Sequence, residues 1–445
     1  MLEFLKNLKL ANYQTDFLDL RIEEKVTSFV LIRNGEVMQA NKLPEKGAFI
    51  RSSIDKMWRY ESTTDLNSLT DVLKSMSNGY NEETVSMDFD IKSIDNLSEN
   101  FIGDLSIPDI KNLLMSFYEK VNDVDFLADI NILFKSEKII KYYADSRGKI
   151  RHYSTENGGV VAFYTLKDGN EIFRSSYDRF GKKISVFDDF GDCLVKDINK
   201  ASLFLKAETI TPGKFPVVLS EFVTGIFAHE SFGHKSESDF MIGDESMKEE
   251  WSIGKKVGSE ILTIVDDGSH TNSSGFAPFD DEGNEKIRTY LIKNGILSGR
   301  LHSEMTSQYL KEENTGNARA LNFKFEPIVR MTTTYLEKGD LTFEEMIKPI
   351  KFGYYIEKPS HGSGMSTFTI AVNRAWKIED GKLTDPVKIN VITGNIFETL
   401  HKIDGVGNEV KLFSFVGGGC GKMEQYPLSV GLGGPKVRVS EMMVS

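Results

Sequence analysis

Two histidines with a carboxylate between them lie near the middle of this chain of 445 residues. His229, Glu230 and His234 follow the apolar run PVVLSEFVTGIFA, and Glu237 and Asp239 come shortly after them. Imidazole nitrogens are common zinc ligands, and a carboxylate beside a metal can take up and release protons. Residues of these types at this spacing are typical of a hydrolytic metal site.

The spacing of the two histidines predicts an irregular helix. They stand five positions apart, whereas the common zinc helix places its histidines four apart. Five residues rotate a regular α-helix by about 140° beyond a full turn and rise about 7.5 Å, so the imidazoles would point apart. A single π-type turn aligns residues i and i+5, and we predict such a turn over residues 231–234, with Gly233 as its candidate position. The alternative is that the helix ends there and His234 lies on the exit loop.

A catalytic zinc site usually has three protein ligands and one open position, so a third ligand must be found. Glu237, Asp239 and Cys420 are the candidates by residue type. Cys420 lies in the segment FVGGGCGK, where glycines allow backbone to pass close to a site, and a thiolate suits zinc. The alternatives are a buried thiol in a glycine-rich turn and, for the histidines, imidazoles that hydrogen-bond locally. The second cysteine, Cys193, is interpreted as structural.

Composition excludes several classes of protein. The formal net charge is −12, from 54 basic and 66 acidic residues. Nucleic-acid affinity depends largely on Lys and Arg that neutralise phosphates, so no direct nucleic-acid partner is expected for an acidic chain. Two cysteines make no disulfide framework. The N-terminal segment MLEFLKNLKLANYQ has no uninterrupted apolar region of the kind found in signal peptides, and no run approaches the roughly 18 apolar residues of a membrane span. We expect a cytoplasmic protein with reduced thiols and no membrane partner.

The elements that would position the site divide the chain near Thr211-Pro212-Gly213. Residues 1–210 are predicted to form a mixed α/β region with antiparallel strands, with a polar connector at about residues 78–104 as an optional boundary between two subdomains. Apolar residues have helical spacing over 1–24, and a hairpin is predicted at Asn34-Gly35. Helices are predicted over 65–77 and 106–121, capped by Asp65 and Ser106, and near 195–207. Turns between strands are predicted at 146–148, 157–159 and 168–170.

Residues 211–445 are predicted to form a mostly antiparallel β domain that is entered through the histidine-bearing helix, which makes the fold class α+β. Asn294-Gly295 and Glu379-Asp380-Gly381 are hairpin signals. The glycine-rich edges at Ser363-Gly364 and at Gly417, Gly418 and Gly419 are candidate contacts for an extended peptide substrate. The alternative for these glycines is ordinary loop flexibility.

Further motifs resemble those of the TldD/PmbA family of metalloproteases, in its active TldD type. The runs VDDG (265–268), DDEG (280–283) and LIKNGIL (291–297) match one part of the family pattern, and GNAR (316–319) and RMT (330–332) match another. The C-terminal signature corresponds to CGK (420–422), Gln425, Pro427, Gly431, Gly433 and Pro435. These motifs follow the family order over residues 216–440.

The resemblance implies a zinc-dependent peptidase. His229, His234 and Cys420 would bind one zinc ion, and Glu230 would be the general base that activates a zinc-bound water. Glu237 and Asp239 would then accept hydrogen bonds from histidine N–H groups. The family works as a dimer that encloses a cavity, so we expect a homodimer, or a heterodimer with a paralogue, that cleaves peptides or unfolded segments there.

Two other classes of function compete with this interpretation. The chain could be a non-catalytic partner subunit, or a regulatory binding protein of the same family. Glu230 argues against the first, because a structural zinc site usually has four protein ligands and needs no general base. Zinc content separates the classes, since about one ion per chain is expected of the peptidase and none of a pure adaptor.

Overall fold

The fold is known from a computed structural model, which describes residues 1–83, 85–364 and 366–445. The fold class is α+β with mainly antiparallel sheets, as the sequence predicts. Among the described residues, no helix has the length and apolar character that crossing a membrane would require.

The first part of the chain forms one long-stranded sheet covered by helices. Its strands lie in the order β3-β2-β1-β5-β6-β4, with β7 paired to β6. The apolar sides of the third and fourth helices pack with residues of the sheet in one core. The elements are α1 (Leu2–Asn7), β1 (Phe17–Arg33), β2 (Glu36–Ile54), β3 (Met57–Thr63), α2 (Leu69–Ser75), β4 (Asp90–Asn96), α3 (Ile107–Val121), β5 (Leu127–Asp145), β6 (Lys149–Asp168), β7 (Glu171–Phe180) and α4 (Phe190–Ser202).

Local signals in this part are confirmed. Asn34 and Gly35 both adopt positive φ in the turn between β1 and β2. The Asp65 side chain accepts a hydrogen bond from Asn67 N in the short 3-10 turn that leads into α2. The Ser106 side chain accepts one from Asp109 N at the start of α3. Turn and cap residues act through their own backbone neighbours, so a single sequence carries these signals.

Three expectations for this part are wrong. The helical spacing over residues 1–24 yields only the short α1, because Leu18, Leu20 and Ile22 alternate into the buried face of β1. The predicted connector contains β4, which pairs in parallel with β6. The predicted turn at 157–159 lies inside β6, where Gly159 pairs with both β5 and β7. In each case pairing within the sheet overrides the local pattern.

The described rest of the chain forms two large sheets and two two-stranded sheets. The elements are β8 (Glu208–Thr209), β9 (Gly213–Leu219), α5 (Glu221–Ala228), α6 (Glu245–Glu250), β10 (Ile264–Asp266), β11 (Thr289–Lys293), β12 (Ile296–Leu297), α7 (Glu304–Leu310), β13 (Ala318–Arg319), β14 (Ile328–Val329), β15 (Thr333–Leu336), α8 (Phe343–Ile347), β16 (Phe352–Gly364), β17 (Thr367–Glu379), β18 (Lys382–Lys388), β19 (Val391–Asn395), α9 (Ile396–His401), β20 (Ile403–Val406), β21 (Lys411–Ser414), β22 (Cys420–Lys422), β23 (Gln425–Leu428), β24 (Gly431–Gly434) and β25 (Val437–Val444). The two-stranded sheets are β13-β14 and β22-β23. Hairpins form at Asn294-Gly295 and at Asp380-Gly381, as predicted.

A closed ring of strands and a second sheet surround helix α5. The ring runs β16-β9-β25-β19-β17 and is closed by pairing of β17 with β16. The second sheet has the order β12-β11-β10-β15-β24-β21. Helix α5 contacts β16 of the ring and β15, β21 and β24 of the second sheet. The predicted boundary at residues 210 and 211 falls between β8 and β9, and the division of the chain into two domains stays a prediction.

Basic residues of the first sheet bind the acidic loop at residues 280–283. Lys141 Nζ lies 2.8 Å from Asp281 Oδ1, and Arg21 Nη1 lies 3.6 Å from Asp281 Oδ2. Arg51 Nη1 lies 2.7 Å from Glu282 Oε1. All of these side chains are buried or nearly so. Burial alone would raise the pKa of Asp281, but Lys141 and Arg21 outweigh burial and lower it to about 2. The network therefore joins the first sheet to the rest of the chain.

We predict that Asp281→Asn lowers the free energy of unfolding at pH 7 by about 2 kcal/mol, the value that follows from a pKa lowered from 3.8 to about 2. Because the pKa in the folded protein lies below its unfolded value, this contribution is complete above about pH 4 and is lost as the pH falls towards 2. Urea unfolding at pH 7 and pH 3 measures the effect. The exposed Asp123→Asn is the control, and an equal loss at both pH values would contradict the prediction.

Candidate metal centre

Helix α5 leads directly into the largely buried segment that carries the two histidines. The Ser220 side chain caps it by accepting a hydrogen bond from Val223 N. Most of its residues are buried, because the helix lies between the ring and the second sheet. A Cβ added to Gly225 would lie 2.6 Å from Gly433 N, so the helix approaches the glycine-rich β24 more closely than a larger residue would allow. The helix is therefore fixed along its length before it reaches His229.

A π turn follows α5 directly and spans His229–Gly233, and a 3-10 turn spans His234–Ser236. The predicted π-type turn is confirmed, and the α-helix also ends there. The turn brings the His229 and His234 ring centroids to 5.1 Å, with the ring planes at 82°. Gly233 has ordinary helical dihedral angles, so it is not required for its backbone freedom. A Cβ there would lie 1.8 Å from Met331 Sδ, so Gly233 is required for space.

Cys420 reaches the histidines from the short hairpin of β22 and β23. Its Sγ lies 3.3 Å from His234 Nε2. One ligand atom from each of His229, His234 and Cys420 lies within 4.8 Å of the others. Glu237 and Asp239, the other candidates for a third ligand, do not belong to this group. The structure thus brings together the three side chains for which the resemblance implies a zinc ion.

The donor set fits a zinc ion. A tetrahedral zinc with bonds of about 2.3 Å to sulfur and about 2.0 Å to nitrogen would separate these two ligands by roughly 3.5 Å, close to the distance between Cys420 and His234. His229 Nδ1 is buried without a hydrogen-bond partner among the described residues. Two imidazoles and one thiol also leave an open position, as in catalytic sites.

The electrostatics of the donors pair a thiolate at Cys420 with a protonated His234. Burial raises the pKa of the Cys420 thiol, but His229 and His234 outweigh burial and lower it to about 5. Burial lowers the pKa of His234, while its hydrogen bonds to Cys420 and Glu237 raise it to about 10. The pocket thus stabilises a thiolate beside a positive charge, and a thiolate is the form of cysteine that binds zinc.

Glu230 lies beside the donors and is half-buried. Burial raises its pKa, the histidines lower it, and Cys420 and Glu237 raise it further, with a net rise. Strand β16 lies against Glu230, since a Cβ added to Gly362 would be 3.2 Å from Glu230 Cγ. Within the described residues no hydrogen bond or ion pair occupies its carboxylate. This carboxylate is therefore free to interact with a molecule that enters the site.

The remaining candidates occupy different positions. Glu237 Oε2 lies 3.2 Å from His234 Nδ1, where the predicted acceptor should be. Both oxygens of Asp239 instead accept hydrogen bonds from Lys422 Nζ, at 2.6 and 2.8 Å. Its predicted bond to a histidine is not seen among the described contacts.

The three candidate glycines lie on the segment that leads into β22. Gly417 lies beside Leu133 and Lys135 of β5, and Gly418 lies beside Phe415. A Cβ added to Gly419 would lie 2.3 Å from the Leu428 carbonyl oxygen, so this glycine allows the hairpin to close. Contact of the three glycines with a substrate stays a prediction.

Comparison with known proteins agrees with the site. A family model described as the PmbA/TldA metallopeptidase C-terminal domain matches residues 212–445. The chain belongs to the PmbA/TldD family of metallopeptidases. A metalloprotease of Synechocystis sp. is 28% identical over 97% of this chain and 95% of its own. The zinc metalloprotease TldD homolog of Saccharolobus solfataricus is 29% identical over 100% of this chain and 99% of its own.

Two solved structures share the fold. A Thermotoga maritima protein described as a candidate modulator of a DNA gyrase has a TM-score of 0.80 at 20% identity, with 100% of both chains covered. TldE from Thermococcus kodakarensis has a TM-score of 0.73 at 15% identity and covers 100% of this chain and 98% of its own. The PmbA/TldD architecture therefore extends over the whole chain.

Several PmbA/TldD motifs meet at one buried carboxylate. Asp266 accepts hydrogen bonds from Asn317 Nδ2 at 3.1 Å and from Thr332 N and Oγ1 at 2.9 and 2.7 Å. Lys286 Nζ forms an ion pair with it at 3.1 Å. Met331, which packs on Gly233, directly precedes Thr332 in the chain. The hydrogen bonds of Asp266 thus fix the segment that carries Met331, and Met331 packs against the π turn at Gly233.

Two cations near the site stand in the RMT and CGK motifs, but sequence reasoning assigned neither of them a role. Arg330 donates to the backbone carbonyl oxygens of Cys420 and Gln425, at 2.8 and 3.2 Å, and so holds the hairpin. Lys422 binds Asp239 and Glu237. Lys422 stands two residues after Cys420 in a strand, where alternate side chains share a face, and that spacing was the available signal. Arg330 stands in the RMT motif, but the motif does not indicate its partners, because they are backbone atoms distant in sequence.

We predict that Gly233→Ala disrupts the π turn, because its methyl group would overlap Met331. Zinc affinity should fall roughly tenfold or more, in the range seen when the support of a ligand is removed. Competition with a chromophoric chelator measures the affinity of the refolded, metal-depleted protein. The double variant with Met331→Ala should regain part of the loss, and Met331→Ala alone is the control. Wild-type affinity in Gly233→Ala would contradict this role.

Proposed function

We propose that this chain is a zinc-dependent peptidase that hydrolyses peptide bonds. The observation that supports it best is the convergence of His229, His234 and Cys420 beside a free carboxylate, Glu230. A structural zinc site would need a fourth protein ligand instead of a free carboxylate. Relatives named metalloproteases support the same class of reaction.

His229 and His234 would hold the ion through ring nitrogens, and Cys420 through its sulfur. A bound zinc ion supplies a Lewis acid that polarises a carbonyl group and lowers the pKa of water. Glu237 accepts a hydrogen bond from His234 Nδ1, which directs Nε2 at Cys420, and Nε2 would lose its proton where an ion binds between them. The lowered pKa of Cys420 favours the thiolate, which is the form that binds a metal.

Glu230 would act as general base and then as general acid. Its carboxylate takes a proton from the attacking water and passes it to the amine that leaves. Burial raises the pKa of Glu230, and a raised pKa suits a base that works near neutral pH. The position of Glu230 beside β16 would let it reach a peptide bond presented along that strand.

The substrate that suits this site is an extended peptide or an unfolded segment. Ser363 and Gly364 end β16 close to Glu230, and an extended backbone could pair with such an edge. The dimer that the family resemblance implies, and the cavity enclosed by it, stay predictions, and light scattering after size exclusion would measure the mass in solution.

We predict that Glu230→Gln retains zinc but lowers kcat/KM for peptide cleavage by roughly 10²–10⁴-fold, because the amide cannot accept the proton. Hydrolysis of quenched fluorescent peptides and the zinc content are measured on the same sample. Glu237→Gln is the matched comparison, because it removes a nearby carboxylate that holds His234. It should lower zinc affinity, whereas Glu230→Gln should lower the rate of cleavage. Full activity in Glu230→Gln would exclude the assigned mechanism.

We predict that Cys420→Ser lowers zinc affinity by on the order of 10²-fold or more, because loss of a ligand should exceed the roughly 10–100-fold cost of losing a residue that orients one. A chelator should likewise abolish activity of the wild type, and added zinc should restore it. Cys193→Ser is the control. Unchanged zinc affinity in Cys420→Ser would remove Cys420 from the ligand set.

A further inference from the structure

Lys422 is a buried lysine whose ammonium group lies between two segments of the metal centre. It stands on β22, two residues after Cys420, and its side chain is 3% exposed. Its Nζ donates to Asp239 Oδ1 at 2.6 Å and to the Val329 carbonyl oxygen at 2.9 Å. It also lies 3.1 Å from Glu237 Oε2. The hydrogen bonds of the ammonium group thus go to Asp239 and Val329, and Glu237 is held by the ion pair.

Glu237 extends this contact to a metal-binding candidate. Its side chain is fully buried, and the same oxygen, Oε2, lies 3.2 Å from His234 Nδ1. Lys422 is therefore joined through one carboxylate oxygen to the ring of His234. Through its own strand it is joined to Cys420, which stands 186 positions from His234 in the chain.

Arg330 cannot replace this connection. It binds the carbonyl oxygens of Cys420 and Gln425 and so fixes the hairpin, but it forms no ion pair with Glu237. Over the described parts of the chain, the ion pairs of Glu237 are with Lys422 and His234. Lys422 is thus the cation that couples the hairpin to the histidine segment.

We propose that Lys422 is a positioning residue that holds Cys420 and His234 at the separation a zinc ion needs. The proposal rests on the metal site proposed above. A metal binds tightly only when its ligand atoms are already close to their final positions, because moving them on binding costs free energy. Lys422 fixes the two segments against each other through Glu237 and Asp239, so its loss would leave the same three donors poorly placed.

The test measures zinc affinity of the refolded, metal-depleted chain by chelator competition. Lys422→Met keeps the length of the side chain and removes its charge, and zinc affinity should fall roughly 10–100-fold. Lys422→Arg retains a donor to Glu237 and Asp239 and should recover part of that loss. If Lys422→Met binds zinc as tightly as the wild type, the proposal is wrong.

A double-mutant cycle separates positioning from general stabilisation. If Lys422 acts through Glu237, adding Lys422→Met to Glu237→Gln should cost less zinc affinity than Lys422→Met costs alone. Fully additive losses would overturn the proposal. Lys141→Met is the matched control, because it removes a buried lysine that pairs with Asp281. It should lower the urea midpoint and leave zinc affinity unchanged.

Asp239→Asn provides the same test if Lys422→Met does not fold. It removes the charge and one acceptor oxygen from the closest partner of Lys422 and leaves all three donors and Glu237 in place, so zinc affinity should fall by a smaller factor. Wild-type affinity in a folded Asp239→Asn would overturn the proposal. Failure of the wild type itself to bind zinc would instead overturn the proposed function.

Discussion

The π turn after α5 is the constraint on which the site depends. A π turn is rare, because a regular α-helix is the more stable continuation, so packing must stabilise it. Here Met331 fills the space beside Gly233, and the ring and the second sheet hold α5 in place. The turn is what places His229 and His234 side by side. The packing of the two sheets around α5 therefore determines the conformation of this one irregular turn.

Buried charge is the second means by which this fold fixes its site. Asp266, Asp281 and Glu237 are all buried, and each has a cationic partner at about 3 Å. Burying such pairs costs desolvation energy, so they add little net stability compared with apolar packing. They do define one arrangement, since a displaced partner would leave a buried charge alone. We interpret these pairs as devices that select the geometry in which the donors converge.

Sequence reasoning succeeded where the signal is local. The turn at Asn34-Gly35, the cap at Ser106 and the irregular turn that begins at His229 each have a signal in neighbouring residues, although packing stabilises the last of them. It failed where the partner is distant. The glycines at 157–159 indicate a turn, yet neighbouring strands extend β6 through them. Asp239 was assigned to a histidine because the two are close in sequence, whereas its partner Lys422 lies 183 positions away. The CGK motif and the spacing of Lys422 from Cys420 indicate that Lys422 lies near the site, but they do not indicate which carboxylates it binds.

Strand β25 is the last strand of the ring in the chain, so it is also the last to be synthesised. Strand β25 pairs with β9, which directly precedes α5, and with β19 and β20. Ribosomes make the chain from its N-terminal end, so the histidines emerge long before Cys420 and β25. A nascent chain thus carries two donors without the third, in a ring that is still open. The set of three donors and the ring would therefore be completed only after the C-terminal part of the chain has been made.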